Sequence, residues 1–183
     1  MEAKISFSTV LIFFCLLIFV SSSNSHSLLQ YCDEASSRDP NFTFDFCVSS
    51  LQSSFGTKTA VGLSDLFNAT LDLSITNATV ICSIVDQLLT QKNIGAYKRG
   101  ALQDCFKLYS NSISTLEEVV DVLNTEDYFK ANIDITSIMG APVTCEQGFV
   151  DKAGEVCPVT EENRSFLQLT AMALTFVSML SEA

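Results

Sequence analysis

An even set of cysteines behind a secretory leader constrains this chain more than any other feature. Residues 1–4 carry one lysine, residues 10–20 are almost wholly apolar, and residues 21–27 are rich in serine, which is the pattern of a signal peptide. Removing residues 1–25 deletes Cys15 and leaves six cysteines in an oxidising compartment: Cys32, Cys47, Cys82, Cys105, Cys145 and Cys157. We therefore expect a secreted, disulfide-bonded protein that is not held in a membrane after cleavage.

The length of the chain limits the number of domains, and its net charge limits the kinds of partner. Roughly 155 to 160 residues remain after the leader, which suits one domain with a single core. The formal net charge is −11, and the one acidic and one basic residue of the leader cancel. Because like charges repel, nucleic acid is excluded as a partner and an anionic membrane surface is disfavoured. A basic or neutral protein fits better.

The residue types present argue against an enzyme. His26 is the only histidine and lies at the leader junction, which excludes Ser-His-Asp and Cys-His nucleophile pairs and histidine metal sites. A glycosidase needs only two carboxylates, but no pair among the acidic residues is marked as tuned for that chemistry. We therefore predict no catalytic residues, no metal site and no cofactor.

Helical periodicity is the main structural signal after residue 57. The clearest helix has apolar residues at steps of three and four: Leu102, Cys105, Phe106, Tyr109, Ile113, Leu116, Val120 and Leu123. Similar patterns cover residues 57–91, 125–149 and 160–180, and short polar connectors separate all four segments. Pro142 lacks a backbone N–H and should bend the third helix or end it early. Residues 57–183 are thus predicted to form an all-α, up-and-down antiparallel four-helix bundle.

Residues 26–56 form a separate unit before the bundle. Two helical runs flank the helix-breaking sequence Asp39-Pro40-Asn41, which predicts a helical hairpin. So small a hairpin cannot bury a core of its own. A disulfide between Cys32 and Cys47 would stabilise it by about 3 kcal/mol in the chain-entropy model.

Four Asn-X-Ser/Thr sequons add to the extracellular interpretation. We expect glycosylation at one or two of them, with Asn41, Asn68 and Asn163 as candidates. The helical wheel places Asn68 on the polar side of the first bundle helix. Asn77 falls within the apolar stripe of that helix and is discounted.

Several short stretches resemble a known family over the whole mature chain. They are Cys32-Asp-Glu-Ala, Asp39-Pro40-Asn41, Asp45-Phe46-Cys47-Val48, Leu102-Gln-Asp-Cys105, Thr144-Cys145-Glu-Gln-Gly-Phe149 and the run from Cys157 to Thr170. The chain is similar to plant invertase and pectin methylesterase inhibitors, most closely to the plane-tree pollen branch. The resemblance implies disulfides Cys32–Cys47 and Cys105–Cys145. Cys82 and Cys157 depart from the four-cysteine pattern, either as two free thiols or as a third bridge.

Family members inhibit one of two enzymes of the cell wall or vacuole. In the family that this chain resembles, invertase inhibitors have a Pro-Lys-Phe element between the second and third bundle helices. That element enters the invertase active site. This chain has Asp127-Tyr128-Phe129 there, and these three are the candidate target contacts. Alternatively, Asp127 caps the third helix while Tyr128 and Phe129 pack. A carboxylate in place of an ammonium would meet the acidic site of a glycosidase with the wrong sign.

The sequence therefore favours a pectin methylesterase as the target, held in a reversible one-to-one complex over the active-site cleft by a monomeric inhibitor. Acid invertase is the alternative target, and a bundle without inhibitory function is a third reading. Six acidic residues either imitate the anionic pectin polymer or form a solvated face: Asp104, Glu117, Glu118, Asp121, Asp134 and Glu146. The expected location is the apoplast or cell wall, with the vacuole as the alternative.

Overall fold

The computed structural model describes residues 27–55, 61–123, 125–150 and 155–183. The predicted signal peptide, residues 1–25, and the predicted hairpin–bundle boundary, residues 56–57, lie outside these ranges. The described residues contain helices and no strand. The helices are α1 Leu28–Arg38, α2 Phe44–Phe55, α3 Leu63–Leu89, α4 Ala96–Leu123, α5 Tyr128–Ile138, α6 Ala141–Val150 and α7 Thr160–Glu182. The all-α prediction is confirmed.

Local hydrogen bonds fix where the helices begin. Ser27 and Gln30 form a capping box at α1, in which Ser27 N–H donates to Gln30 Oε1 at 2.7 Å and Gln30 N–H donates to Ser27 Oγ at 3.4 Å. At α3, Gly62 N–H donates to the carboxylate of Asp65 at 3.2 Å. These contacts satisfy backbone donors that have no partner within the helix.

The N-terminal hairpin lies against one side of the bundle. Helices α1 and α2 pack on each other and are joined by a disulfide between Cys32 and Cys47. Helix α1 also contacts α7, and α2 contacts α3. An ion pair between Arg38 and Glu182 at 2.8 Å links the end of α1 to the end of α7.

The other helices form the predicted four-helix bundle. Helix α3 packs against α4 and α7, and both α5 and α6 pack against α4 and α7. Helices α5 and α6 together are the third helix, interrupted at Met139 and Gly140. Pro142 lies in the first turn of α6, where the missing N–H would have no partner within the helix. The predicted interruption near Pro142 is therefore present.

The core fills the space between the four bundle helices. Its largest fully buried side chains are aromatic: Phe67, Tyr109, Phe149, Phe166 and Phe176. Two residues predicted for the buried stripe of α4 do not fit, because Phe106 is 38% exposed and Val120 is 36% exposed. Both lie at the edges of the apolar stripe of α4. This stripe is wider than the part of the α4 surface that the neighbouring helices cover.

Helix α7 is long and apolar enough to cross a membrane by length and composition. In the structure it is a core helix, because 56% of its most apolar window is buried inside the protein. Its buried residues include Phe166, Phe176 and Met172. Packing against α3, α5 and α6 therefore accounts for its hydropathy.

A polar cluster is enclosed where α4, α6 and α7 meet. Tyr109 Oη donates to Asn163 Oδ1 at 2.6 Å, and Asn163 Nδ2 donates to Glu146 Oε1 at 2.6 Å. Thr160 Oγ1 donates to Glu146 Oε2 at 3.2 Å. Burial, with Cys157 and Glu146 nearby, raises the pKa of Tyr109, so its hydroxyl stays protonated and donates. The buried side chains of Tyr109 and Asn163 and the half-buried ones of Glu146 and Thr160 are thus hydrogen-bonded to one another.

This cluster corrects one predicted glycosylation site. Asn163 is 2% exposed, and both ends of its amide are occupied by protein partners. A glycan on Asn163 would remove this packing, so the prediction is wrong. Asn41 and Asn68 are exposed and stay our proposed sites. Asn77 is half-buried, and its buried Oδ1 has no hydrogen-bond partner among the described residues.

Replacing Tyr109 with Phe should lower the free energy of unfolding by about 2 kcal/mol, because Asn163 Oδ1 would stay buried without a donor. Urea unfolding followed by circular dichroism measures this. Tyr128→Phe is the matched control, since the half-buried Tyr128 has no hydrogen bond from its hydroxyl among the described contacts. Equal stability of both variants would contradict the role given to the cluster.

Candidate protein-binding face

A row of exposed apolar side chains runs along the broken third helix. Its large members are Phe129, Ile133, Val143 and Val150, which are 77%, 51%, 55% and 69% exposed. The exposed residues Thr136, Gly140 and Gln147 fill the positions between them at helical steps. Met139 keeps helical backbone angles (φ −60°, ψ −21°), and the seven positions keep the same helical steps across the interruption between α5 and α6. We call these seven positions the third-helix row.

The three residues predicted as target contacts take different positions at its start. Asp127 caps α5, since its carboxylate accepts from Lys130 N–H at 3.0 Å. Tyr128 is half-buried and packs against the core. Phe129 projects into solvent as the most exposed large apolar side chain in the described ranges. The capping and packing alternative therefore describes Asp127 and Tyr128, while the exposed Phe129 ring and the exposed Asp127 carboxylate are accessible to a partner.

The helix beside the row supplies negative charge. Of the six acidic residues singled out in the sequence, four are exposed on α4: Asp104, Glu117, Glu118 and Asp121. The other two have partners within the chain, because Asp134 pairs with Lys130 and Glu146 belongs to the buried cluster. The Asp134 carboxylate, assisted by Glu118 and Asp127, raises the pKa of Lys130. The exposed negative charge of α4 is therefore concentrated in its later part, at Glu117, Glu118 and Asp121, whereas Asp104 lies near Lys107.

A groove separates α4 from α6 next to the row. Its volume is about 480 Å³, and its polar lining comes from Asp104, Lys107, Asn111, Thr144 and Gln147. Gln147 belongs to both the groove and the third-helix row, so the two surfaces are continuous.

Two features hold the walls of this groove together. A Cβ on Gly148 would lie 3.5 Å from Ala101 Cβ, which is ordinary van der Waals contact, so α4 and α6 pack closely at this point. The Cys105–Cys145 disulfide then ties the two helices. Cys82 and Cys157 are free, so the third bridge considered from the sequence is not formed.

The described residues bring together no group of three or more His, Cys, Asp or Glu side chains that could hold a metal ion. What the face offers is shape, apolar area and charge. This combination suits recognition of another macromolecule, because interfaces are built around exposed aromatic and aliphatic anchors within a polar rim.

Sequence reasoning named Phe129 as a candidate contact, but not Ile133, Val143 or Val150. A signal for them was present. The buried side of the third helix is already filled by other residues: Ala131, Ile135, Ile138, Pro142, Cys145 and Phe149. The remaining apolar residues of α5 and α6 cannot also be buried in the core, so they stay exposed. Exposed apolar residues that lie together indicate a binding face.

Comparison with known proteins places this chain among related sequences. Residues 26–176 match the family model described as plant invertase/pectin methylesterase inhibitor. Two proteins named "Putative invertase inhibitor" are similar along nearly their whole length. The one from Platanus acerifolia is 35% identical over 178 residues, 97% of this chain and 98% of that one. The one from Platanus orientalis is 32% identical over 177 residues, with the same coverage.

A further relative and two solved structures extend the comparison. "Pectinesterase inhibitor 12" from Arabidopsis thaliana is 26% identical over 159 residues, 86% of this chain and 90% of that one. A mutant form of an Arabidopsis pectin methylesterase inhibitor superposes with a TM-score of 0.68 at 21% identity, covering 84% of this chain and 97% of that one. A pectin methylesterase inhibitor from Arabidopsis thaliana gives 0.61 at 20% identity, covering 87% and 98%. At these identities, the two structures establish the fold alone.

Proposed function

Because this chain belongs to the plant invertase/pectin methylesterase inhibitor family, whose members are inhibitors and not enzymes, we propose that it inhibits a pectin methylesterase in preference to an acid invertase. The complex is reversible and one-to-one, and it covers the active-site cleft. The inhibitor is secreted to the cell wall after residues 1–25 are removed, with the vacuole as the alternative destination.

The observation that carries the proposal is the third-helix row. Its two ends, Phe129 and Val150, are 21 residues apart in sequence, which would be roughly 32 Å along an unbroken helix and is an upper bound here, because the helix is interrupted at Met139 and Gly140. A ridge of this order of length can lie across a cleft built to hold a polymer. Phe129 at one end is the aromatic anchor, because a protruding ring can enter a pocket at little cost in conformational entropy.

Charge supports the esterase as the target. Pectin becomes anionic as its methyl esters are removed, so an enzyme that holds this polymer accommodates carboxylates. The exposed acidic residues of α4 supply carboxylates that could occupy the same sites. A glycosidase instead works with two carboxylates at its active site, and these would repel the same surface. Asp127 adds to this repulsion at the very start of α5.

Acid invertase stays as the second candidate because of two observations. The two Platanus relatives carry the name invertase inhibitor. In addition, the phenylalanine of the Pro-Lys-Phe element is present here as Phe129 and is exposed.

A side-by-side titration of the purified protein against one pectin methylesterase and one acid invertase at the same acidic pH tests the proposal. We expect stronger inhibition of the esterase. Raising the salt concentration from 50 to 300 mM should weaken that inhibition, because exposed charges are screened over about 6 to 14 Å in this range. Nanomolar inhibition of invertase without effect on the esterase would reverse the ranking, and no effect on either enzyme would favour a bundle without inhibitory function.

A further inference from the structure

Three sulfur atoms meet where α4, α6 and the connector before α7 come together. Cys105 on α4 is bonded to Cys145 on α6, and the free thiol of Cys157 lies 3.9 Å from Cys145 Sγ. All three residues are buried, with exposures of 0%, 1% and 5%. We propose that Cys157 exchanges with this disulfide, so that the protein has a second covalent form in which Cys145 is bonded to Cys157 and Cys105 is the free thiol. This inference goes beyond the proposed function and does not depend on it.

The geometry needs little movement. A disulfide bond is about 2.05 Å long, so Cys157 Sγ must approach Cys145 Sγ by about 2 Å. Cys157 lies in the connector between α6 and α7, where side chain and backbone can shift without breaking a helix. The other free cysteine lacks this opportunity, because the contacts of Cys82 Sγ are Phe106 O at 3.9 Å and Ser110 Oγ at 3.7 Å.

The exchange needs no external oxidant. Cys157 loses its proton, and the resulting thiolate attacks Cys145 Sγ. The bond between Cys145 and Cys157 forms while the bond between Cys105 and Cys145 breaks. The electron pair of the broken bond goes to Cys105 Sγ, which takes up a proton. One disulfide and one thiol are present before and after the step, so electrons and atoms balance.

The surroundings of Cys157 slow the step at low pH. Burial, with the Glu146 carboxylate nearby, raises the pKa of the Cys157 thiol to about 11, against opposing hydrogen bonds from Val159 N–H and Thr160. The titratable and charged groups around it are Glu146 on α6, Tyr109 on α4, and on its own connector Glu155, paired with Lys98. Below this pKa the thiolate fraction, and with it the rate, should rise about tenfold per pH unit.

Disulfide exchange changes which parts of the fold are joined covalently. The original bridge fixes α4 against α6 along the groove, whereas the new one closes a short loop between α6 and the start of α7. Helix α4 then keeps its place by non-covalent contacts alone, among them the hydrogen bond from Tyr109 to Asn163. The acidic residues of α4 are released from their covalent link to the third-helix row.

Peptide mapping of the purified full-length secreted protein tests this. Samples kept without reductant at pH 6 and pH 9 are acidified, and free thiols are then blocked with N-ethylmaleimide in urea at pH 6.5 before trypsin digestion. Cleavage after lysine and arginine puts Cys105 in residues 100–107, Cys145 in 131–152 and Cys157 in 153–164. We expect blocked 100–107, together with 131–152 linked to 153–164, to form at pH 9 at a rate independent of protein concentration.

Three variants make the result decisive. Cys157→Ser should abolish the new linkage, while Cys82→Ser, the matched control, should leave it unchanged. If Cys105→Ser folds, oxidised glutathione should join Cys145 to Cys157 and spare Cys82. An intact 100–107/131–152 linkage after a day at pH 9, or a linkage that involves Cys82 equally often, would overturn the proposal.

Discussion

Replacing Phe129 with alanine should weaken inhibition of the target enzyme about 30-fold or more while leaving the fold intact. The loss corresponds to about 2 kcal/mol, which is typical of an aromatic anchor that fills a pocket on the partner. Stability should hardly change, because the ring is 77% exposed and contributes little to the core. Measurement of the inhibition constant, alongside thermal unfolding of the same preparations, separates binding from folding.

Leu29 provides the matched control. It is 54% exposed on α1, which packs against α2 and α7 and belongs to the hairpin rather than to the third helix. Leu29→Ala removes a similar apolar side chain and should leave inhibition unchanged. If Phe129→Ala inhibits as well as the parent protein, or if Leu29→Ala loses as much, the third-helix row is not the contact surface.

Removing the Cys105–Cys145 disulfide should produce the largest loss of stability. The bridge closes a segment of 40 residues, for which the chain-entropy model gives about 4 kcal/mol. For a domain of this size, that is a fall of roughly 8 to 16 °C in the unfolding temperature. The double variant Cys105→Ala/Cys145→Ala, followed by thermal and urea unfolding, measures the effect.

Cys82→Ala is the control for this variant, since it also removes a cysteine side chain from the bundle but no covalent link. Its cost should stay near 1 kcal/mol, because Cys82 is only half-buried. A double variant that unfolds at the same temperature as Cys82→Ala would show that packing alone holds α4 against α6.

The bundle was predictable because its signal is local. Helical steps in α4 pointed to Cys105, Tyr109 and Leu116, and all three are fully buried. Pro142 likewise predicted the interruption of the third helix. These features depend on periodicity and on backbone chemistry within one element, which a single sequence contains.

The remaining features depend on contacts between elements. Asn163 is in step with the buried Phe166 and Thr170, so the periodicity that discounted Asn77 applies to it as well. Its hydrogen-bond partners, Tyr109 and Glu146, come from two other helices and could not be inferred from one sequence. The contact between Cys157 and Cys145 arises from the path of the connector before α7. No residue spacing encodes that path.

Amide hydrogen exchange of the inhibitor, free and bound to a pectin methylesterase that it inhibits, tests the central claim most directly. The claim is that the third-helix row covers the active-site cleft. We predict slower exchange on binding in residues 128–150 and in the adjoining part of α4, because these backbone groups lose access to water in the complex. Slower exchange confined to the hairpin, residues 27–55, with no change in α5 or α6, would contradict the account.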